Sequence, residues 1–256
     1  MQGMIEKRGS IGIIWIDNPP VNAISHAVRE GLIKAVENAS KDSEIKGLVL
    51  ACRGRTFMAG ADITEFASGV KPPWLGEVID TMSESSKVIV AAIFGTTFGG
   101  GLEVALGCNY RIADSNTKIG LPEVKLGIIP GAQGTQRLSR VSSVEFALKL
   151  ATLGNPVGAQ EALEAGAIDK ISNGELIDDA VSYAEELLKN NAPLKKSHTL
   201  SIDPEKYNDS FFNDYRKTIS RKTRGMAAPE CCIKAIQASV NLPFEEGVKF
   251  EREMTI

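Results

Sequence analysis

Apolar residues form short continuous runs in the first half of the chain. The runs "IGIIWI" (11–16), "IKGLVLAC" (45–52) and "KVIVAAIFG" (87–95) do not alternate cleanly with polar residues. Such runs are typical of strands that are buried on both faces of a sheet. The shorter stretches "TKIGL" (117–121) and "AIDKI" (167–171) predict two further strands. Because helical stretches separate these strands, the pattern predicts an α/β fold.

Helical periodicity lies between the strands and dominates the second half. After the Pro/Asn break in "DNPPVNAIS", Ser25 can cap a helix that runs to about residue 40. Another helix is predicted over 73–86. A boundary in the piece at 192–205 divides the chain into a core, residues 1–192, and a helical C-terminal region, residues 193–256. The helices predicted from residue 143 onward cover 143–153, 158–165, 175–190, 208–222 and 229–240.

Composition limits the classes of partner. The 256 residues are 43% hydrophobic and 24% charged, with a net charge of −3, which is ordinary for a globular protein and argues against nucleic acid or a membrane as the main partner. Two histidines, and four cysteines without metal-ligand spacing, predict no metal site. The start lacks the apolar core of a signal peptide, so a cytoplasmic, reducing compartment is expected.

The stretch "TFGGGLEVALGC" (97–108) places three glycines directly before an apolar segment with one carboxylate, Glu103. If Gly99–Gly101 open a helix, their N–H groups have no partner within it and point at whatever docks there. Two such donors form an oxyanion hole, which holds an oxygen that becomes negative during a reaction. Tight packing of a helix on a sheet also explains the glycines. The carboxylate among apolar residues favours a catalytic site.

Two more segments carry related features. In "FMAGADITEF" (57–66), Asp62 can cap a helix and leave the amide of Ala61 exposed at its start. In "GLPEVKLGIIPGAQGTQRL" (120–138), Glu123 is a second lone acid, and partial burial would raise its pKa toward neutrality. Alone, these segments are also explained as a common strand-to-helix turn and a surface acid. Together, two amide cradles and two carboxyls indicate acid–base chemistry at a carbonyl.

Four segments, in order, resemble the signatures of the enoyl-CoA hydratase/isomerase (crotonase) family. They are "PPVNAIS", "FMAGADITEF", "FGGGLEVALGC" and "GLPEVKLGIIPGAQGTQRL", and the similarity covers roughly residues 5–190. The resemblance implies an α/β crotonase (ClpP/crotonase) fold, a spiral of ββα units with a C-terminal helical region. It also implies an acyl-CoA thioester as substrate and no cofactor.

The resemblance further implies a role for each matching residue. Glu103 would activate the attacking water, and Glu123 would supply the proton to Cα. The amides of Ala61 and Gly100 would hold the thioester oxygen, and the backbone of Gly131 would help to order the site. The positions that match acyl-CoA-binding residues are Val21, Ala23, Ala59, Asp62 and Ile63, and Arg55 is expected near a CoA phosphate.

The variants "PPVNA", "GGLEVALGC" and "GLPEV" resemble the hydratase domain of bifunctional β-oxidation enzymes. The tail "APECCIKAIQASVNLPFEEGVKFERE" resembles the segment that joins this domain to an NAD-dependent 3-hydroxyacyl-CoA dehydrogenase. No G-x-G-x-x-G fingerprint follows a strand in this sequence. Either the dehydrogenase belongs to a longer chain of which this is the amino-terminal portion, or the protein never had that second activity. A peroxisomal location is the alternative in the first case, and a monomer or a homotrimer is expected.

The presence of both acids favours hydration of 2-enoyl-CoA over other reactions of the family. Isomerases that move a 3-enoyl double bond need only the acid that matches Glu123. Isomerase activity, alone or beside hydration, and a non-catalytic acyl-CoA-binding protein are the alternatives.

Overall fold

The computed structural model describes residues 2–255, and its centre is a six-stranded sheet. The strands are β1 (Met4–Arg8), β2 (Ile11–Ile16), β3 (Gly47–Cys52), β4 (Val88–Ile93), β5 (Thr96–Phe98), β6 (Tyr110–Ala113), β7 (Lys118–Gly120), β8 (Val157–Gly158) and β9 (Lys170–Ile171). The large sheet has the order β1-β2-β3-β4-β6-β9, and the small one β5-β7-β8. Within the large sheet, β1 and β2 are antiparallel and all other pairs are parallel.

Eleven α-helices lie in the described residues. They are α1 (His26–Lys41), α2 (Thr64–Ser68), α3 (Leu75–Ser83), α4 (Gly100–Gly107), α5 (Gly134–Val141), α6 (Val144–Leu153), α7 (Ala159–Glu164), α8 (Leu176–Lys189), α9 (Asp209–Ile219), α10 (Ala228–Asn241) and α11 (Phe244–Met254). A short 3-10 helix spans Pro122–Leu126, and another spans Ser197–Thr199.

The large sheet is buried on both faces, as its continuous apolar runs predict. On one face, Val49 and Val90 pack with Ala180 and Ala184 of α8. On the other face, Leu48, Leu50 and their neighbours join the main core, which continues into α1, α3 and α4. Strands covered on both sides do not need alternating polar residues, and the predicted α/β class is confirmed.

The predicted helices are largely confirmed, and most of their ends differ from the predicted ones by a few residues. The hydroxyl of Ser25 accepts a hydrogen bond from the amide of Val28, which makes Ser25 the N-cap of α1 as predicted. The helix predicted over 73–86 spans only Leu75–Ser83. It starts at Leu75 because Trp74 has extended backbone geometry and its amide donates to the side chain of Glu77 at 2.6 Å, which caps the helix there.

The last helix, α11, is absent from the sequence prediction. Its segment "FEEGVKFEREM" carries many charges, and only Gly247, Val248 and Glu251 are buried. Its apolar stripe is therefore too thin to register as an amphipathic pattern. The helix packs against α5 and α10, and α10 packs against α5 and α6, so the C-terminal helices cover the core. The division at residue 192 stays a prediction.

Two consecutive ββα units place the two predicted acids, Glu103 and Glu123, on neighbouring helices. In the first, β4 and β5 lead into α4, which carries Glu103. In the second, β6 and β7 lead into the 3-10 helix that carries Glu123. Strands β5 and β7 are parallel neighbours, with Phe98 opposite Gly120. The two acid-bearing helices therefore begin side by side, as the ββα spiral implied by the resemblance requires.

None of the described helices is both long and apolar enough to cross a membrane.

The close approach of α4 to the segment before Ala61 gives a stability prediction. A Cβ on Gly101 would stand only 1.9 Å from the carbonyl oxygen of Met58. Gly101→Ala must therefore move backbone, and we expect a loss of about 1–3 kcal/mol in the free energy of unfolding. Gly158→Ala is the control, because no atom lies within 4 Å of a Cβ there. Urea unfolding measures both variants, and equal stabilities would contradict the packing.

Candidate active site

The start of α4 is formed by Gly99, its N-cap, and by Gly100, its first residue. Gly99 has φ +52°, a conformation that side chains disfavour, and a Cβ there would meet Oε1 of Glu123 at 2.7 Å. Its amide donates to the carbonyl of Gly120 at 3.0 Å, which fixes α4 beside β7. Gly100 is the first residue of the helix, so its N–H has no partner within α4.

A second free amide lies next to Gly100. Two backbone hydrogen bonds join the segment that carries Ala61 to the loop between β2 and α1. The amide of Ala59 donates to the carbonyl of Val21, and the carbonyl of Gly60 accepts from the amide of Ile24. The N–H of Ala61 makes no hydrogen bond within residues 2–255. A Cβ on Gly100 would stand 3.5 Å from this nitrogen. Two unpaired amides therefore lie close together, as an oxyanion hole requires.

Glu103 is buried and is held by main-chain donors. Its Oε1 accepts from the amide of Ala132 at 2.9 Å and from the amide of Gly134 at 2.8 Å. Both donors lie where α5 begins, and a Cβ on Gly134 would meet Oε1 at 2.7 Å. Since both bonds use Oε1, the second oxygen, Oε2, is left to act on a ligand.

Glu123 also lies at the start of α4. Its Oε1 lies against Gly99, one residue before the helix. Its Oε2 is buried and has no hydrogen-bond partner among the described residues. An unpaired buried carboxylate oxygen is costly unless it carries a proton or meets a ligand.

Both acids have pKa values near neutrality. Burial raises the pKa of Glu103 to about 7, although its two amide bonds favour the charged form. Burial, and then the charge of Glu103, raise the pKa of Glu123 to about 8. Two main-chain donors favour the charged form of Glu103, whereas Oε2 of Glu123 has no donor among the described residues, so Glu103 is the easier of the two to ionise. Such a pair can serve as base and acid in one reaction.

The other predicted residues lie in the two segments "PPVNAIS" and "FMAGADITEF". Val21 and Ala59 are directly hydrogen-bonded neighbours through their backbones. The carbonyl of Ala23 accepts from the amide group of Asn18 at 2.8 Å. Asp62 accepts from the amide of Thr64 at 3.0 Å. It is not the helix cap that the sequence predicts, because Ile63, whose side chain is exposed, is the N-cap of α2 and separates Asp62 from the helix.

Asn22, which the sequence analysis did not single out, joins these loops. It has φ +53°, and its side-chain nitrogen donates to the carbonyls of Arg53 and Thr56, each at 2.8 Å. Its position inside "PPVNAIS" gives no physical hint of this role, because the bonds go to residues more than thirty positions away. Asn22 therefore orients the predicted acyl-CoA loops without facing the carboxyls.

Arg55 and Gly131 are the last two predicted site residues. Arg55 is exposed and lines a cavity of about 760 Å³ that also contains Arg53 and Trp15, but neither acid. Gly131 precedes Ala132, and a Cβ there would come within 2.9 Å of Thr255. Its lack of a side chain thus admits the end of α11 beside the loop that holds Glu103.

The amino-acid sequence of the chain matches a known family. The family model described as enoyl-CoA hydratase/isomerase matches residues 6–205 of the 256, and the chain belongs to this family. The resemblance drawn from the four motifs is thereby confirmed, and so is the crotonase fold.

Among the relatives, the chain is 41% identical over 250 residues to the peroxisomal bifunctional enzyme of Cavia porcellus. That alignment covers 96% of this chain but 34% of the relative, so the chain spans about a third of its length. It is 34% identical to a probable enoyl-CoA hydratase of Bacillus subtilis, covering 81% of this chain and 89% of that one. A crystal structure of enoyl-CoA hydratase from Mycobacterium tuberculosis matches with a TM-score of 0.67 and 26% identity, over 96% of this chain and 87% of that chain.

The raised pKa of Glu123 predicts a pH-dependent effect on stability. Folding raises this pKa, so the stabilising effect is complete below the unfolded value and is lost as pH rises through about 8. Glu123→Gln removes the charge, and its stability relative to wild type should rise by more than about 1 kcal/mol between about pH 5 and about pH 9. Denaturant unfolding measures this difference. Glu37→Gln, at an exposed acid, is the control. The prediction would be contradicted if Glu123→Gln had the same stability relative to wild type at both pH values.

Proposed function

We propose that this chain is an enoyl-CoA hydratase that adds water to trans-2-enoyl-CoA in fatty-acid β-oxidation, giving 3-hydroxyacyl-CoA. One observation carries the proposal: two buried acids with near-neutral pKa values lie beside the two free amides of Ala61 and Gly100. The family and the names of the relatives agree with this reaction.

The first step forms the bond between water and Cβ of the substrate. Glu103, ionised, takes a proton from water through Oε2 as the water oxygen attacks Cβ. Its Oε1 stays bound to the amides of Ala132 and Gly134, so the carboxylate keeps its orientation during the transfer. Positioned acid–base groups of this kind contribute on the order of 10²–10⁴-fold to a rate.

The carbonyl oxygen of the thioester becomes negatively charged as water attacks Cβ. The electron pair of the double bond moves toward the thioester, which becomes an enolate. The amides of Ala61 and Gly100 donate to that oxygen. One preorganised donor lowers such a barrier by about 3–4 kcal/mol, because it is in place before the charge develops.

The last step places a proton on Cα. Glu123 enters the reaction protonated and transfers this proton as the enolate collapses back to the thioester. The product then carries the water oxygen on Cβ and the new hydrogen on Cα. A proton passes from Glu103 to Glu123 before the next turnover, which restores both acids. Water and the thioester supply every atom, so the proposed reaction uses no cofactor.

The acyl-CoA would enter along the loops that carry Val21, Ala23 and Ala59. Backbone groups and small side chains there leave room for a pantetheine chain, and the exposed Arg55 supplies a positive charge for a phosphate.

The relatives' names also bear on what accompanies this activity. Because the Cavia porcellus relative is a peroxisomal bifunctional enzyme about three times as long, we propose that the chain works with a dehydrogenase in a longer protein. That second activity would oxidise the 3-hydroxyacyl-CoA which this site produces. On the same ground the peroxisome is the alternative to the cytoplasmic location that the sequence predicts.

The direct test is loss of the conjugated thioester absorbance when the protein is mixed with crotonyl-CoA. Wild type should hydrate the substrate, whereas Glu103→Gln and Glu123→Gln should each lose hydration because each removes one proton transfer. With a 3-enoyl-CoA, Glu103→Gln should retain much of any isomerase activity, since that reaction needs one acid.

Two outcomes would contradict the proposal. If wild type binds crotonyl-CoA without hydrating it, the chain is an acyl-CoA-binding protein. If Glu103→Gln loses hydration and isomerisation equally, the acids do not have separate roles. Glu37→Gln is the matched control, because it makes the same change at an exposed acid that lies outside the proposed site.

A further inference from the structure

A third buried carboxylate lies next to the acid pair, on the C-terminal helix. Glu251 of α11 is completely buried, although the segment around it is strongly charged and the following residues Arg252 and Glu253 are exposed. A buried carboxylate is costly unless it is well hydrogen-bonded. Its partners therefore indicate what it does.

Glu251 binds the same loop that holds Glu103. Its Oε1 accepts from the amide of Gln133 at 2.6 Å. Its Oε2 accepts from the amide of Thr135 at 3.0 Å and also from the hydroxyl of Thr135. The three bonds replace the hydration that the carboxylate loses on burial.

The loop thus shares its main-chain donors between two acids. The amides of residues 132 and 134 go to Glu103, and the amides of residues 133 and 135 go to Glu251. Four successive N–H groups at the start of α5 alternate between the two carboxylates. Neither acid can shift without moving the loop that holds the other.

Close packing fixes α11 in this place. A Cβ on Gly247 would meet Oε1 of Gln136 at 2.2 Å, and a Cβ on Gly76 would meet Arg252 at 2.9 Å. With the contact between Gly131 and Thr255, three glycines allow α11 to lie against α3, α5 and the loop. The helix therefore holds Glu251 at a constant depth.

We propose, resting on the hydratase function above, that Glu251 is a positioning residue for hydration, and that it fixes the loop whose amides orient Glu103. It makes no contact with the reacting atoms in this account. The C-terminal helical region is then part of the active site, in addition to covering the core. Packing alone would not call for a carboxylate, because an apolar residue of similar size fills a buried space at lower cost.

Charge provides a readout that simple packing would not change. Burial, and then the charge of Glu103, raise the pKa of Glu251 to about 8, while the charge of Glu251 in turn raises the pKa of Glu123. Glu251 gains this charge as pH rises through about 8, so Glu251→Gln should lower the pKa of Glu123 in that range, and Glu123 must be protonated to act. The titratable and charged groups around Glu251 are Glu103 on α4, Glu123 on the 3-10 helix, Arg137 on α5 with its partner Asp80 on α3, and the thiol of Cys232 on α10.

The test compares Glu251→Gln with Glu253→Gln, an exposed acid on the same helix. Wild type, both variants and Thr135→Val are assayed with crotonyl-CoA for kcat, KM and the pH dependence of kcat/KM, and their melting temperatures are recorded. We expect Glu251→Gln to lower kcat by about 10- to 100-fold, as misplacement of a catalytic group does. KM should change by less than about threefold, since the acyl-CoA loops are untouched.

The high-pH limb of kcat/KM should also move to lower pH in Glu251→Gln. Thr135→Val removes the hydroxyl bond to Glu251 and the bond that this hydroxyl accepts from Gln136, but it leaves the main-chain bonds to Glu251 in place. It should lower kcat by a smaller factor and keep the protein folded even where Glu251→Gln does not fold. Glu253→Gln should match wild type.

Three results would overturn the inference. The first is a Glu251→Gln variant with the kcat and pH profile of Glu253→Gln. The second is a loss of kcat that equals the unfolded fraction, with an unchanged pH profile. The third is wild-type kcat in Thr135→Val together with an unfolded Glu251→Gln. An inactive wild type would instead overturn the hydratase proposal itself, so the two failures are distinguishable.

Discussion

The site depends on main-chain N–H groups that two helices cannot use internally. The first amides of any α-helix lack partners within it, and they carry the positive end of the helix dipole. At α4, the amide of Gly100 stays open beside that of Ala61, where it can receive an oxygen. At α5, the amides before and at the helix start are fully used, because Glu103 and Glu251 accept from them in alternation. One helix start is thus left open to the substrate and the other holds the base.

Burial of the acids gives the chemistry and costs stability. An apolar core raises the pKa values of Glu103, Glu123 and Glu251, because water no longer solvates their charged forms. The hydrogen bonds to Glu103 and Glu251 limit this effect, whereas Oε2 of Glu123 has no bond among the described residues. The acid with the poorest hydrogen bonding is therefore the one suited to carry a proton to Cα. The surrounding core, with its strands packed on both faces, supplies the stability that these charges reduce.

The sequence predicts the parts of this site whose signals are local. Three glycines before a helix and a lone acid among apolar residues are visible as letters, and Gly100, Glu103 and Glu123 were found in this way. The donors to Glu103 were not found, because any residue but proline has an amide and only the fold brings Ala132 and Gly134 to the acid. Glu251 was missed for a related reason. It belongs to a charged segment that looks like solvated surface, and its burial comes from the docking of α11 on α5.

The central claim is that the open amides of Ala61 and Gly100 polarise the thioester carbonyl. The direct measurement is the infrared stretch of crotonyl-CoA labelled with ¹³C at its carbonyl carbon and bound to Glu103→Gln, which leaves both amides in place while slowing turnover. Two hydrogen bonds to the carbonyl oxygen weaken the C=O bond, so the account predicts a clear shift to lower frequency than in water. A bound carbonyl that absorbs at its aqueous frequency, at saturating protein, would contradict it.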